Sequence, residues 1–539
     1  MKSLEWRRVS KRGYFVVAVG ALIGAIVFLL VYGLQVIIPT NVDWLLTGGD
    51  LSQHYIGWEF FRNSAWSFPI GVAGDLAYPH GLAITFMDAL PLLAVPMKLF
   101  AGWLPEQFQY FGLWGLFSYA ALGSFAAAIV RRWTKDWWMI VPAVLFICLS
   151  PIVFQRMFTH TALAGHWIIL FAVYAVLRGR AWELPKNSIV WSVILSLSVL
   201  IHPYFLAMNV FVLLVAVVIR HKTMWQSIVS LTVPIISALL TTWLIGGFTF
   251  TTISGQKFGE AGYDIAAPLL SNGWSVLSLS LAQTKPEMFA YVGLGGLLLL
   301  AAAMITTVKY RHKIMMYIRH YPRKTLAVGV VVLLLLIAAI GPGVKIAGVP
   351  IVHIDLPAIV EKVWGIFRVT ARLLWPLWYA ILFGSLYILI RFEKDKQIAR
   401  ILIAVICIVQ VVDITASPQL QERRERFAQV QDQRFVSELS NPEWDTLTEN
   451  RKHIVYLGDL YESKFITIAQ FSIEHNLTLN TGYFARKPTT DIEGTINEAK
   501  GDLRNGTIKA DTIYMYDKPF AVASGVEQKE MNGYFVTVR

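Results

Sequence analysis

Long apolar runs separated by short basic segments occupy the chain from Gly13 to about Ala416, and most approach the roughly 20 residues a helix needs to cross a bilayer. Backbone groups in lipid must be satisfied internally, so these runs predict helices. They fall at roughly 14–38, 107–130, 137–154, 163–178, 188–202, 204–219, 226–247, 288–308, 325–341, 374–391 and 401–416, about eleven spans. Between the first two lies a connector, about 39–106, that is too long to be only a link. Pro91, Pro96 and Pro105 interrupt its apolar part, FMDALPLLAVPMKLFAGWLPEQF, which predicts a segment lying in the outer interface rather than crossing it. From Gln419 the pattern changes: HIVYLG, FITIAQF, TIYMY and YFVTV alternate with polar turns and predict short strands around one or two helices. The fold class expected is therefore mainly α. Residues 1–416 form a polytopic bundle with a large first outer loop, and 417–539 form a small α/β domain.

Composition agrees with that pattern, since hydrophobic residues make up 56% and charged residues 15% of the chain, with a mean hydropathy of +0.54. A net charge of +12 raises the question of nucleic acid, but the basic residues are concentrated in the short segments between apolar runs and read as topology signals. Placing RRWTKD, RGRAWELPK, VKYRHKIMMYIRHYPRK and RFEKDKQIAR on the cytoplasmic side puts the N-terminus inside and the C-terminal domain outside. The first run follows MKSLEWRRVSKR without a small-residue cleavage site and predicts a retained signal anchor. Cys148 and Cys407 each lie inside an apolar run, which gives no disulfide framework and no metal-ligand spacing. This pattern fits a bacterial plasma membrane.

The candidate chemistry gathers on the outer side. In GGDLSQHYIGWEFF, Asp50 is positioned to cap a helix with Gln53 three residues on, and Asp50 and His54 then stand one turn apart. The alternative is that Asp50 only caps and His54 is a packed interfacial histidine. Asp88 is the second acid of the loop, whereas Asp43 and Asp75 read as turn residues. Ionisable groups near membrane depth are costly and presumptively functional. FQRMFTHTALAGHW supplies Arg156, His160 and His166 between two spans, and His202 lies at the next outer junction. FRVTARLLWPLWY supplies Arg368 and Arg372, whose spacing of four predicts one helix face. Paired guanidiniums suit a phosphate or pyrophosphate, with snorkelling toward lipid headgroups as the alternative. Together they suggest transfer from a lipid-linked phosphate donor, with Asp50, or else Asp88, taking the acceptor proton and Arg and His stabilising the departing phosphate. A divalent cation near Asp50 is compatible with these residues, but no ligand cluster requires one.

At these positions the chain resembles the GT-C class of integral membrane glycosyltransferases. GDLSQHYIGWEFFRNSAWSFPIG, DALPLLAVPMKLF, LPEQFQYFGLW, HTALAGHW, RVTARLLWPLWY and NLTLNTGYFAR are similar to an uncharacterised bacterial membrane family assigned to that class. The resemblance implies a polyprenyl-phosphate sugar as donor, Asp50 as catalytic acid, and Arg368 and Arg372 facing the donor phosphate. It also implies Asn480, Tyr483 and Arg486 near the acceptor, a surface glycan or lipid-linked molecule. Gly49-Asp50 replaces the paired acids of some protein mannosyltransferases, which argues against protein mannosylation. Rival readings are a lipid-linked glycan transporter or flippase, whose charges would line a path through the bilayer, and a surface-polymer assembly protein without catalysis.

Overall fold

The structure is a computed structural model that describes residues 11–178, 186–220, 223–249, 261–277, 283–429, 438–439, 441–458, 460, 462–484 and 489–539. The chain divides into two compact units: 1–37, 111–239 and 256–428 form unit 1, and 38–110, 240–255 and 429–539 form unit 2.

Unit 1 is helical. Among the described residues, seven helices of the chain are long and apolar enough to cross a membrane: Gly13–Tyr32, Phe111–Val130, Trp137–Thr159, Pro203–Arg220, Met224–Leu244, Thr370–Phe392 and Lys396–Thr415. Shorter apolar helices occupy Thr161–Leu177, Lys186–Ile201, Leu294–Lys309 and Thr325–Ile340. Every run read as a span therefore contains a helix. Pro151 breaks the Trp137–Thr159 segment into two helices, Trp137–Cys148 and Pro151–Thr159, because a proline fits only the first turn of the second.

The first helix, Lys11–Tyr32, packs along Phe111–Val130 through small residues. A methyl group added at Gly20 or Gly24 would collide with the backbone carbonyls of Gly123 and Tyr119, so these glycines permit the close approach expected between helices in lipid. The Tyr32 and Tyr119 hydroxyls meet at 2.9 Å across that contact. Near the end of Lys396–Thr415, Asp413 accepts hydrogen bonds from Ser275 Oγ, Val276 N, Tyr291 Oη and Leu294 N. One carboxylate thus caps the Leu294–Lys309 helix and pins the 275–276 turn. Asp264 does similar work, accepting from Ala266 N (2.8 Å), Ala347 N (3.0 Å) and Gly348 N (2.7 Å).

Unit 2 joins the first loop to the tail. Its sheet has the order Thr478–Leu479, His453–Tyr456, Thr512–Tyr516, Tyr534–Thr537, Lys529–Met531. The first three strands are parallel and the last two antiparallel. Parallel neighbours need a crossover, and Glu462–Glu474 supplies one as a helix. FITIAQF is therefore helical, not a strand: its buried Phe465, Ile468, Ala469 and Ser472 recur at helical spacing, and that packing overrides the β-branched composition. A segment of the first loop extends the sheet beside Leu479, with Leu479 N donating to Asp75 O and Tyr78 N donating to Leu479 O. Tyr78 also stacks on His453 at 4.3 Å. The Gly49–Asn63 helix packs on Glu462–Glu474. First loop and tail are thus one folded body in which the loop backbone is satisfied by sheet pairing.

Candidate functional site

In unit 2 the Gly49–Asn63 helix begins differently from the capping box expected. Gly48 (φ 106°) is the N-cap, and the Ser52 hydroxyl closes the turn by accepting from Gly48 N (2.9 Å) and donating to Leu45 O (2.8 Å). Two consecutive glycines at positive φ make this entry possible, and Ser52 takes the reach-back role expected of Gln53, while Asp50 lies inside the first turn rather than at the N-cap. Asp50 sits in the first turn, half-buried, and its carboxylate takes part in no hydrogen bond or ion pair among the described residues. The helix N-terminus favours a negative charge there. Gln53 does not reach back to the N-cap; its amide donates to Phe86 O at 3.4 Å.

His54 is fully buried one turn beyond Asp50, and its ring offers a ligand atom within 4.8 Å of a carboxylate oxygen of buried Asp88. Asp88 stands at φ 52° and Leu90 at φ 54°, left-handed conformations that cost a non-glycine residue about 1–2 kcal/mol each. The Tyr110 hydroxyl holds the strained turn by donating to Ala89 O at 2.5 Å. Trp58 donates to Phe108 O (2.9 Å) and meets Tyr110 edge-on. Gly57 lets the helix approach this turn, since a Cβ there would meet the Met87 side chain at 2.5 Å. Backbone strain of this kind clusters at active sites and ligand clamps. An imidazole and a carboxylate at this spacing suit a divalent cation whose remaining positions go to water or substrate oxygen.

The sequence reading missed Glu59, on the same helix. It is buried beside Arg62 (3.5 Å), whose guanidinium also donates to Glu106 O and Pro105 O. Burial, opposed by Arg62, pushes the Glu59 carboxyl up to about 8 from its ordinary 4.5. A raised folded-state value means that the stabilisation is full below about 4.5 and is lost as pH rises through about 8. Thermal unfolding of the purified protein across that window is therefore expected to show falling stability, and Glu59→Gln to flatten the profile. An equally steep profile in the variant would assign the titration to another group.

Unit 1 holds the cationic half of the predicted set. Arg156, buried on Pro151–Thr159, donates to Pro286 O (3.0 Å) and Glu287 O (3.1 Å) and lies 5.7 Å from the Trp375 ring centre. His166 stacks on the same indole at 4.3 Å, and its Nδ1 lies 2.9 Å from the Tyr379 hydroxyl. The buried His166 Nε2 has no hydrogen-bond partner among the described residues. A cavity borders this group, lined by Phe146, Ser150, His166, Tyr291, Trp375 and Tyr379 among others. His160 meets His202 edge-on at 5.2 Å. His202 Nδ1 accepts from Tyr204 N at 3.2 Å, which assigns the ring proton of the neutral form to Nε2.

Arg372 lies over Tyr204 with its guanidinium carbon 5.1 Å from the ring centre, and the Tyr204 hydroxyl is fixed by accepting from Val369 N at 2.7 Å. It is only 8% exposed, yet its Nε has no partner, and among the described residues no carboxylate pairs with it. The expected helix face shared with Arg368 does not form. Arg372 lies on the short 3-10 helix Thr370–Leu374, and Arg368, half-buried, precedes it in irregular backbone, because the chain turns at Val369 to bond Tyr204. Trp375, which carries both Arg156 and His166, went unremarked although it follows Arg372 by one turn.

In the tail, the Asn480 amide brackets residue 456, accepting from Tyr456 N (2.8 Å) and donating to Tyr456 O (3.1 Å), which gives it a sheet-bracing role. Tyr483 is half-buried, and Arg486 lies outside the described residues.

The architecture and these buried polar groups define a multi-spanning helical membrane protein with a small C-terminal domain built on a β-sheet. The chain belongs to the family described as Domain of unknown function (DUF6311), whose model matches residues 21–415, and residues 443–539 match the DUF6311 C-terminal domain. No curated protein and no solved structure matches it.

Proposed function

We propose that the protein is an inverting membrane glycosyltransferase of GT-C type. It moves a sugar from a polyprenyl-phosphate donor to a surface glycan or lipid-linked acceptor at the outer face of a bacterial plasma membrane, with the N-terminus cytoplasmic and the C-terminal domain outside. The observation that carries this reading is the buried Arg372 guanidinium, held over Tyr204 with no carboxylate to pair with among the described residues. A buried cation is expensive unless something neutralises it, and a planar fork suits a phosphate.

In the reaction, Asp50 removes the acceptor hydroxyl proton while the acceptor oxygen bonds to the anomeric carbon. The bond from that carbon to the donor phosphate oxygen breaks on the opposite face, and polyprenyl phosphate leaves with the electron pair. Arg372 and Arg156 would bind the phosphate as its charge grows, and His166 would offer Nε2 to one of its oxygens. A divalent cation, if bound, would be held in unit 2 by His54 and Asp88 and would supply Lewis-acid chemistry. Asp50 is suited to its part because its carboxylate takes part in no hydrogen bond or ion pair among the described residues.

The test compares the surface-glycan composition of cells carrying wild-type or Asp50→Asn protein at matched membrane levels. Loss of one sugar substituent, with its lipid-linked donor accumulating, is expected from the variant. An unchanged glycan would remove Asp50 as the base.

A further inference from the structure

In unit 1 a β-hairpin follows the apolar Thr325–Ile340 helix. Gly343–Ile346 pairs antiparallel with Val349–His353 around Ala347 and Gly348, both at positive φ as a two-residue hairpin turn requires. Isolated two-stranded ribbons are marginal in water, and this one is braced. Asp264 accepts from both turn amides, Ile265 N donates to Lys345 O, and Ile354 N closes the base by donating to Pro342 O. The Ala358–Trp364 helix comes next, and its Trp364 indole donates to Ala338 O in the last turn of the apolar helix.

The chemistry of the arm contradicts a water-facing loop. Ile346, Val349, Ile351, Val352, Ile354 and Ile359 are 44–68% exposed, on both faces of the ribbon and on the helix that follows. Exposed aliphatic surface of this extent on a rigid element marks an interaction site. The occupant is identified by continuity, because the apolar helix exposes Val330, Leu333, Leu334 and Ile337 just before the arm begins. That helix has an apolar composition suited to lipid contact, and the arm prolongs the same apolar surface past its end. Two features set the depth. The ribbon's free edges carry backbone groups that hydrocarbon would leave unsatisfied, and His353 and Asp355, 3.7 Å apart and exposed, need water. A tryptophan bonded to the last turn of an apolar helix suits the interfacial belt.

We infer that residues 343–364 form a monotopic arm lying in the headgroup and upper-acyl layer of the leaflet where the Thr325–Ile340 helix ends, its ligand being the bilayer lipid itself. The arm fixes unit 1 against rotation about the membrane normal and places the Thr370–Leu374 turn, which carries Arg372, at the depth of lipid phosphates.

The test uses full-length protein in phosphatidylglycerol–phosphatidylcholine nanodiscs, with Cys148 and Cys407 replaced by serine. An environment-sensitive fluorophore is attached through Ile351→Cys or, independently, Val349→Cys, with Lys529→Cys as the water-exposed reference. At both hairpin positions the emission is expected to shift to the blue and to be quenched by lipids carrying a nitroxide near the headgroup, more than by a nitroxide at the chain end. Aqueous iodide is expected to quench the Lys529→Cys label alone. Iodide quenching at the hairpin without lipid quenching would overturn the inference, as would strongest quenching from the chain end. Protection from both quenchers with self-quenching between labelled copies would overturn it in favour of a second copy of the chain.

Discussion

Arg372→Met is expected to abolish polyprenyl-phosphate binding and sugar transfer while leaving the purified protein at least as heat-stable as wild type. The two halves of this result follow from one fact. The guanidinium is buried on Tyr204 without a hydrogen-bond acceptor at Nε or a carboxylate partner among the described residues. In the free protein it is a desolvated charge with little return, and replacing such a group by an apolar side chain of similar length is neutral or stabilising. On the proposed function it becomes the donor phosphate's counter-charge, and removing one such group from a transition state costs roughly 10²–10³ in rate. Arg372→Lys keeps the charge but loses the planar fork and the stacking on Tyr204, so an intermediate loss is expected. Native mass spectrometry of the full chain with polyprenyl phosphate reads the binding, cellular glycan composition reads the transfer, and thermal unfolding in detergent reads the stability. Loss of binding together with a large fall in stability would make Arg372 structural. Undiminished binding would remove the phosphate from this site.

Saturation separates this residue from its neighbours. Charge at membrane depth is presumptively functional from sequence. In the fold, though, Asp413 has four donors and Asp264 three, while Arg372 has a ring. Arg156 is intermediate, with two carbonyls and an indole. A carboxylate whose lone pairs are occupied by its own protein is holding a structure together. A guanidinium with its donors unspent is available to something else.

This distinction also marks where the sequence stops being legible. Apolar run length located the helices, because lipid exposure writes itself directly into composition. Arg156, His160, His166, His202 and Arg372 all lie in one unit of the fold, on its helices or in the turns beside them. Partners were not legible. Spacing of four promised a shared face for Arg368 and Arg372, but the chain leaves helical geometry to bond Tyr204. The capping box expected of Asp50 and Gln53 does not form: Gly48 is the N-cap, and Ser52, whose hydroxyl can both accept and donate, takes the reach-back bond to the Gly48 N–H. FITIAQF carries strand-like composition, and only the parallel neighbours on either side of it require a crossover helix. Asp413 gave no local signal because its donors come from 119 to 138 residues away, and although Arg62 lies three residues after Glu59, periodicity does not report the burial that perturbs that carboxyl.

Asp413→Ala should be the most destabilising single change in unit 1, on the order of 3–5 kcal/mol. Its carboxylate accepts from Ser275 Oγ, Val276 N, Tyr291 Oη (3.0 Å) and Leu294 N (2.8 Å), and the residue is fully buried. Removing it orphans two hydroxyls and the Leu294 amide, each costing about 1–3 kcal/mol when buried without a partner, while Val276 N keeps the backbone carbonyl of residue 413. The Leu294–Lys309 helix loses its N-terminal cap in the same step, because its own N-cap, Gly293, has no side chain to substitute. Asp413→Asn is a sharper probe. It conserves shape but keeps one acceptor oxygen and points an N–H₂ group at existing donors, so it should recover little of the loss. Thermal unfolding of the detergent-purified variants reads the effect. Wild-type stability in Asp413→Asn would show that the four bonds add nothing beyond packing, and would return Asp413 to the set of buried charges whose purpose is chemical.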